Sequence, residues 1–310
     1  MKTTSDFLIV GAGIIGVNIA LSLRDKYPDS KITILEKETE PGLHASGRNS
    51  GVLHAGFYYS SDSIKARFCK EGNLYLTDYC LEHNLPINQC GKLVVAENES
   101  ELKGLNELLR RAQENNVELI EVDEKQAKEI EPNVRTYQKA LFSPSTSSVD
   151  PKKVMASLFN EVNQKSITLK LNTEFISKNE KVIKTTTGSI EAGYLINAAG
   201  LHADKIAMQY GFSEDYRIVP FKGIYLYVNP SKLQLKTHIY PVPDLNNPFL
   251  GVHFTLDVNG NTKIGPSATP AFWREQYGGI RNFNFREMVE IGIRDSSLFF
   301  YNHSNFRNLA

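Results

Sequence analysis

The chain has 310 residues, more than one hydrophobic core usually organises, so two domains or one large α/β domain are expected. Its 35 lysine and arginine residues equal its 35 aspartate and glutamate residues in number, which leaves no overall field to attract nucleic acid. Local cations would therefore have to attract any anionic substrate.

The first predicted elements form a dinucleotide-binding pattern. The apolar stretch Phe7–Val10 predicts a strand that runs into three glycines with G-x-G-x-x-G spacing. In this motif the first glycine permits a tight turn, the second lets the backbone approach a pyrophosphate, and the third lets the helix pack on the strand. The helix N-terminus offers N–H groups to phosphate, and the helix is apolar at Ile15, Ile19 and Leu23. The cofactor-binding residues predicted here are Gly11, Gly13, Ile14, Ile15 and Gly16.

The second predicted strand, Lys31–Leu35, ends in Glu36, twenty positions after the last glycine of the motif. An acidic residue at this place in a dinucleotide-binding unit holds the ribose hydroxyls of adenosine. Glu36 is therefore the predicted ribose ligand, and Lys37 beside it is predicted to contact the same cofactor. The strand, the helix and the acid make this pattern much more specific than the glycines alone.

A second glycine-rich stretch, Ala45–Tyr59, follows with glycines at positions 47, 51 and 56. Such glycines leave backbone N–H groups to face phosphate or flavin oxygens, and the alternative is a flexible Gly/Ser loop. The stretch resembles the flavin loop of the D-amino-acid-oxidase-like superfamily, and it is most similar to the L-2-hydroxyglutarate dehydrogenase/oxidase family. The resemblance implies FAD as cofactor and contacts to it from Ser46, Gly47, Arg48, Asn49, Ser50 and Gly51. Arg48 either faces the pyrophosphate or braces its own loop.

The next elements predict a helix and an insertion. Ser63–His83 reads as a helix whose buried candidates are Ile64, Phe68, Leu74, Leu76 and Tyr79. The insertion is predicted to contain the strand Lys92–Ala96, a helix from Glu99 to about Asn115, the strand Val117–Val122 and the short helix Glu124–Ile130.

The chain is then predicted to return to the first domain at Ala140. Asp150 and Pro151 predict a helix start, with an Asp cap and a proline in the first turn. The strands predicted after that helix are Thr168–Leu171, Val182–Thr186 and Ala192–Ile196. The last strand leads into Asn197-Ala198-Ala199-Gly200, which resembles the third motif of the same superfamily and implies cofactor contacts from Ala199 and Gly200.

From Tyr216 onward the composition changes to tyrosines, prolines and alternating strands, with a hairpin turn at Asn259-Gly260. The stretches PFKGIYLYV, IYPVPDLNNPFLGVHFT and GPSATPAFWREQY also resemble the L-2-hydroxyglutarate family. The expected fold is α/β, with a Rossmann-like FAD-binding domain in residues 1–90 and 140–215. An α+β substrate domain with an antiparallel sheet is expected in residues 91–139 and 216–310.

The resemblance implies oxidation of L-2-hydroxyglutarate, a 2-hydroxy dicarboxylate, to 2-oxoglutarate by hydride transfer to the flavin. Such chemistry needs a base for the hydroxyl proton and donors for two carboxylates. His54, in the flavin loop, is the first candidate for the base, and His253 is the alternative. The candidate carboxylate ligands are Lys222, Tyr225, Tyr240 and Arg274. Many relatives have arginine at the position of Lys222. The lysine ammonium supplies a single charge there, without the two parallel hydrogen bonds that a guanidinium can give a carboxylate.

Two alternatives remain open from the sequence. The same flavin chemistry would serve an amine, an amino acid or glycerol phosphate. Relatives also continue past Ala310 with a further glycine-containing flavin contact, so the resemblance implies a C-terminally truncated chain, and an inactive non-enzyme is the second alternative. The partners expected are the small-molecule substrate and an electron acceptor, oxygen or quinone, with no nucleic acid. The identity of the acceptor and the oligomeric state stay open.

The apolar start of the chain is explained by the glycine motif, because Lys2 is the sole early positive charge and no small-x-small cleavage site follows. No stretch reaches the roughly 18 apolar residues of a membrane span. The cysteines at positions 69, 80 and 90 have neither a C-x-x-C pair nor metal-ligand spacing. We therefore expect a soluble cytoplasmic protein with reduced thiols and no metal, and leave peripheral contact with the inner membrane open.

Overall fold

The structure, a computed structural model, describes residues 3–243 and 251–301. Residues 244–250 of the IYPVPDLNNPFLGVHFT motif lie outside the described residues. Residues 302–310, on which the expected truncation rests, lie outside them as well.

The described ranges contain both helices and strands. The α-helices are α1 (Ile14–Lys26), α2 (Ile64–Glu82), α3 (Leu102–Glu114), α4 (Glu124–Ile130), α5 (Pro151–Gln164), α6 (Ala203–Met208) and α7 (Phe285–Tyr301). The first eight strands are β1 (Thr3–Val10), β2 (Ile32–Leu35), β3 (Val52–Leu53), β4 (Ile87–Asn88), β5 (Lys92–Val95), β6 (Ile120–Asp123), β7 (Lys139–Ser143) and β8 (Ser147–Val149). The other strands are β9 (Thr168–Lys170), β10 (Phe175–Asn179), β11 (Val182–Thr185), β12 (Gly188–Asn197), β13 (Phe221–Tyr227), β14 (His238–Pro241), β15 (His253–Leu256) and β16 (Thr262–Pro270). Within the described ranges, none of the helices combines the length and apolarity that crossing a bilayer requires.

The described residues fall into two units. The first unit contains the residues up to Asn49, Pro151–Pro220 and the described residues from Pro270 onward. Its six-stranded sheet has the order β10-β11-β12-β1-β2-β9. The four strands from β12 to β9 are parallel, and β10, β11 and β12 pair antiparallel. The interior strand β2 is buried along its whole length, as a parallel strand covered on both faces should be. The predicted α/β class is confirmed.

The turn between β1 and α1 depends on two close backbone contacts. Gly11 has φ +107°, and a Cβ there would lie 2.4 Å from the carbonyl oxygen of Ala198 on the neighbouring strand connection. A Cβ at Gly16 would lie 2.0 Å from the carbonyl oxygen of Gly11. Both positions therefore need glycine, one for conformation and space and the other for helix–strand packing.

The buried faces of two helices differ from the prediction. In α1, Ile15 is 63% exposed, and the helix buries Gly16, Val17, Ala20 and Leu21 instead. In α2, the predicted core residues Ile64, Phe68 and Leu74 are each more than half exposed, whereas Tyr79 is buried as predicted. The orientation of α2 follows from Asn73, whose amide donates to the carbonyl oxygens of Leu53 and Ser145, each at 3.0 Å. Because a buried amide must be paired, this polar contact outweighs the apolar periodicity.

The second unit contains Ser50–Asp150 and the described part of Phe221–Thr269. Its larger sheet has the order β13-β16-β15-β14-β5-β7-β6, and its smaller sheet has the order β3-β8-β4. An antiparallel sheet was predicted, but β14 pairs with β5 in parallel, with His238 opposite Lys92. This pairing joins a strand of the predicted insertion to a strand of the C-terminal part.

The unit boundaries differ from the expected domain boundaries. Residues 50–90 and 140–150 lie in the second unit because β3 and β4 both pair with β8. The described residues after Pro270 lie in the first unit and include α7, which the sequence analysis did not predict. The strand β10 (Phe175–Asn179) was not predicted from the sequence either.

Gly16→Ala is expected to lower the free energy of unfolding by about 1–3 kcal/mol, because a backbone oxygen must move to admit the methyl group. Gly292→Ala, in α7 of the same unit, is the matched control. A Cβ at Gly292 meets nothing within 4 Å, so this change should raise the free energy of unfolding by about 0.5–1 kcal/mol. Urea denaturation of both variants measures the difference, and equal effects would contradict the packing account.

Candidate functional site

A cavity of about 440 Å³ opens in the first unit at the carboxyl ends of the parallel strands. In open α/β sheets this edge is where ligands bind. Nine of the residues predicted to bind cofactor line the cavity, namely Gly11, Gly13, Ile14, Ile15, Glu36, Lys37, Ser46, Ala199 and Gly200. The exposure of Ile15 is thereby explained, because its side chain faces the cavity rather than the core.

Glu36 lies at the edge of this cavity and is 7% exposed. Its Oε2 accepts a hydrogen bond from the Ala12 amide at 2.9 Å, and its Oε1 accepts one from the Glu38 amide at 3.0 Å. These two bonds fix the plane of the carboxylate. Each oxygen can accept a further hydrogen bond, so the group retains capacity for ligand hydroxyls.

Ser46 connects the second glycine-rich stretch to the start of α1. Its Oγ accepts a hydrogen bond at 2.9 Å from the amide of Ile14, the first residue of the helix. A Cβ at Gly13 would lie 3.0 Å from the same oxygen. The glycine turn and the loop are therefore built as one surface, and a side chain at position 13 would disturb both.

The rest of the loop is held by its own hydrogen bonds. The amide of Gly47 donates to the carbonyl oxygen of His44 at 3.1 Å. This N–H is therefore not free, contrary to the prediction. The Nε of Arg48 donates to the carbonyl oxygen of Leu43 at 2.6 Å, and its guanidinium lies 4.4 Å from the ring centroid of Tyr277. Arg48 therefore braces its own loop, the second of the two roles considered for it.

The remaining predicted loop contacts come from residues 49–51, where the chain leaves the first unit and enters the second. Asn49 donates from its side chain to the carbonyl oxygens of Ala45 and Ser46 in the first unit. Ser50 and Gly51 belong to the second unit, where the Gly51 carbonyl oxygen accepts from the Val149 amide at 2.8 Å. Cofactor contacts from these three residues stay predictions.

An ion-pair network borders the cavity. Lys37 donates to Glu38 at 2.7 Å and to Glu275, and Glu275 also pairs with His202 at 3.0 Å. Burial opposes the charge on Lys37, but its hydrogen bonds to Glu275 and Glu38 raise its pKa. Hydrogen bonds from His202 and Lys37 lower the pKa of Glu275 to about 2, although burial opposes the shift. Glu38, His44 and Glu275 have the spacing of metal ligands, yet both carboxylates already accept hydrogen bonds from the Lys37 ammonium.

Lys92, in the second unit, is a functional candidate that the sequence patterns did not predict. This side chain is fully buried at the start of β5, and its Nζ lies 3.5 Å from Nδ1 of His54. The Nζ also lies 4.4–4.8 Å from the ring centroids of Tyr58, Phe57 and Tyr240. Among the described residues no carboxylate pairs with it, and burial lowers its pKa to about 7. The sequence feature that could have indicated Lys92 is its place at the start of an otherwise apolar run, KLVV.

Three histidines surround this lysine. His54 is half-buried, and its pKa is well below the usual value because of burial and the nearby Lys92 charge. His253 stacks on Tyr240 with ring centroids 3.8 Å apart, and its Nδ1–H donates to the Gly251 carbonyl oxygen at 2.7 Å. Burial lowers the pKa of His253 to about 4 and that of His238 to about 3. All three imidazoles are therefore neutral at neutral pH.

The structure thus brings together the predicted residues His54, Tyr240 and His253. The hydroxyl of Tyr58, in the same cluster, is buried and has no hydrogen-bond partner among the described residues. Two further candidates, Lys222 and Tyr225, lie on the edge strand β13 of the same sheet and are half-buried. Burial raises the pKa of Tyr225, although a hydrogen bond with Ser50 opposes the shift.

Arg274 lies elsewhere, in the first unit, and is 2% exposed. Its Nη1 and Nη2 each donate to a carboxylate oxygen of Asp204 at 2.8 Å, and Nη1 also contacts the Leu201 carbonyl oxygen. The Arg274 amide donates to Glu287 of α7 at 3.0 Å. A substrate carboxylate would have to displace Asp204 from this bidentate pair. The arrangement instead braces α6 and α7, which corrects the predicted role as a carboxylate ligand.

Comparison with known proteins gives a consistent set of relatives. A family model described as FAD dependent oxidoreductase matches residues 6–291. L-2-hydroxyglutarate dehydrogenase of Escherichia coli strain K12 is 38% identical over 299 residues, which cover 93% of this chain and 70% of that protein. The mitochondrial L-2-hydroxyglutarate dehydrogenase of Nematostella vectensis is 38% identical over 305 residues, covering 92% of this chain and 66% of that protein.

Solved structures share the fold. L-alpha-glycerophosphate oxidase from Mycoplasma pneumoniae, solved with FAD bound, superposes with a TM-score of 0.78 at 26% identity, covering 94% of this chain and 78% of that one. Glycine oxidase from Geobacillus kaustophilus gives 0.73 at 18% identity, covering 94% of this chain and 78% of that one. At 18% identity, the similarity to glycine oxidase shows the fold alone.

Lys92→Met is expected to raise the free energy of unfolding by about 1–4 kcal/mol at pH 7, because it removes an unpaired buried charge. Burial lowers the pKa of Lys92 from 10.5 to about 7, so between these pH values the unfolded chain binds more protons than the folded one. The gain should therefore be largest at and below pH 7 and should fade towards pH 10.5. Urea denaturation at several pH values measures it, and a loss of stability at pH 7 would show that the ammonium is paired.

Proposed function

We propose that this chain, which belongs to the FAD dependent oxidoreductase family, oxidises L-2-hydroxyglutarate to 2-oxoglutarate. The observation that carries the substrate assignment is 38% identity over 93% of the chain with an enzyme named for that substrate. The chain spans 70% of the length of that enzyme. The geometry of each unit supports one part of the chemistry.

The first unit would hold the cofactor. Gly11 and Gly13 place no side chain in the cavity, and the N-terminus of α1 lies beside them, which suits a pyrophosphate. Glu36 would accept the ribose hydroxyls with its remaining lone pairs. FAD, when bound, would supply the oxidant that accepts a hydride, two electrons with one proton, from the substrate carbon.

His54 of the second unit is our candidate for the base. Because burial lowers its pKa, its imidazole is unprotonated throughout the neutral range and can accept the hydroxyl proton of the substrate. His253 is the alternative, since its Nδ1–H is committed to the Gly251 carbonyl oxygen and its Nε2 therefore carries a lone pair.

Recognition of a dicarboxylate requires local cations and donors, because the chain has no net charge. Lys222 and Tyr225 on β13 and Tyr240 on β14 are the candidate carboxylate ligands. The unpartnered Tyr58 hydroxyl is a further donor in the same unit. A lysine contact would be made in the ground state and the transition state alike, so it would affect KM more than kcat.

Glu36→Ala should weaken FAD binding by about 1.5–3 kcal/mol, the scale of hydrogen bonds to a charged group. The change also leaves the Ala12 and Glu38 amides unpaired, so the melting temperature of the FAD-free protein must be recorded beside the affinity. Glu191→Ala, which removes an exposed acid from the same sheet, should leave FAD affinity unchanged. Equal affinities in the Glu36 variant and the wild type, by flavin fluorescence titration, would refute the ribose assignment.

His54→Ala should lower kcat for L-2-hydroxyglutarate by about 10²–10⁴-fold, the contribution of a general base. His83→Ala, an exposed histidine at the end of α2, should leave kcat unchanged. Steady-state rates with an artificial electron acceptor measure both, with glycerol 3-phosphate and glycine as comparison substrates. A wild type that turns over either comparison substrate in preference to L-2-hydroxyglutarate would overturn the proposed function, and a fully active His54 variant would move the base to His253.

A further inference from the structure

The contact between Lys92 and His54 defines how the histidine can act. Lys92 has no exposed surface, whereas His54 is half-buried, so Lys92 acts on a substrate through His54 and not by touching it. The distance from Nζ to Nδ1 is 3.5 Å. No other described residue forms a hydrogen bond with either ring nitrogen of His54. Nδ1 of His54 thus contacts Lys92, and Nε2 remains available to exchange a proton with the substrate.

The groups that face this pair are neutral at neutral pH. Among the residues that the structure describes they are Tyr58, Cys90, His238, Tyr240 and His253, and none of these is a carboxylate. Burial raises the pKa values of Tyr58 and Tyr240, and it raises the pKa of the Cys90 thiol to about 11. Lys263 on β16 adds a further positive charge near His238. No described carboxylate therefore balances the charge on Lys92, and its neutral form is accessible.

The protonation of the lysine decides which ring nitrogen of His54 carries the proton. A protonated Lys92 donates to Nδ1, so the neutral ring must carry its proton on Nε2 and cannot accept another there. A neutral Lys92 amine accepts from Nδ1–H, and the lone pair then lies on Nε2. The second state alone makes Nε2 a base.

We propose that Lys92 and His54 form a proton relay in which the buried amine selects the basic tautomer of the histidine and receives its Nδ1 proton. The inference rests on the proposed function for the substrate and on His54 as the base. In the relay, the substrate O–H bond breaks and an Nε2–H bond forms, while the Nδ1–H bond breaks and an Nζ–H bond forms. The substrate oxygen keeps its electron pair, and one proton ends on Lys92. Lys92 is a positioning residue in this scheme.

The first test reads the tautomer without any substrate. Long-range ¹H–¹⁵N spectra of the FAD-bound full chain, labelled at histidine, should show His54 protonated on Nε2 at about pH 5.5 and on Nδ1 at about pH 9. His238 and His253 are internal references: the first accepts the Leu256 amide at Nδ1, and the second donates from Nδ1. Their tautomers should not change. A wild-type His54 with one tautomer across this range would overturn the proposal.

Two variants make the same test specific to Lys92. Lys92→Met should abolish the tautomer switch, and Lys92→Arg, which stays protonated, should hold His54 in the Nε2–H form at every pH. Lys263→Met, which removes a neighbouring positive charge without touching His54, should keep the switch. A switch that persists in Lys92→Met would refute the relay. If that variant does not fold, the arginine variant decides by the same measurement.

Kinetics provide the second readout. In the wild type, kcat/KM for L-2-hydroxyglutarate should rise about tenfold per pH unit below an ionisation near pH 7 and then level off. Lys92→Met should lose this ionisation, and Lys92→Arg should lose about 10²-fold in kcat at pH 8 with little change in KM. A larger effect on KM than on kcat would show that Lys92 binds substrate, against the relay. An intact tautomer switch without turnover of L-2-hydroxyglutarate would overturn the proposed function and leave the relay standing.

Discussion

The second unit is organised around a buried ammonium group that has no carboxylate partner among the described residues. Taking such a charge out of water is costly unless other groups compensate. The compensation here is the faces of Phe57, Tyr58 and Tyr240, whose π-systems attract a cation, and one nitrogen of His54. It is incomplete, because burial still lowers the pKa of Lys92 to about 7. The lysine is therefore held where small changes in its surroundings alter its charge.

The parallel pairing of β5 with β14 is what places this lysine. The register sets Lys92 opposite His238 and brings Tyr240 two residues further along the same pair. Without that pairing the insertion and the C-terminal strands would form separate sheets. The first unit depends on a different kind of constraint, a turn in which backbone atoms approach to distances that only glycine permits at positions 11 and 16. One unit thus offers a rigid surface for phosphate and ribose, and the other offers a titratable cluster.

Local patterns predicted the parts of this structure that local forces determine. The β1–α1–β2 motif followed from apolar runs and glycine spacing, and the helix Glu124–Ile130 was predicted with the bounds observed, where Asp123 and Gln126 form a capping box. The buried face of α2 was predicted correctly at Tyr79 and wrongly at Ile64, Phe68 and Leu74, because Asn73 pairs with carbonyl groups distant in sequence. Arg274 had the chemistry of a carboxylate ligand, and its partner Asp204 lies 70 residues away. The apolar run after Lys92 was a local signal, but its contacts could not be predicted, because they involve Tyr240 and strands far along the chain.

We propose that the chain is a flavoprotein specific for a 2-hydroxy dicarboxylate. The most direct test of this proposal is the visible spectrum of the FAD-bound chain under anaerobic conditions, during addition of L-2-hydroxyglutarate, glycine and glycerol 3-phosphate in separate samples. The account predicts loss of the yellow absorption of oxidised flavin with L-2-hydroxyglutarate and none with the other two. Bleaching by glycine or glycerol 3-phosphate, with none by L-2-hydroxyglutarate, would contradict it.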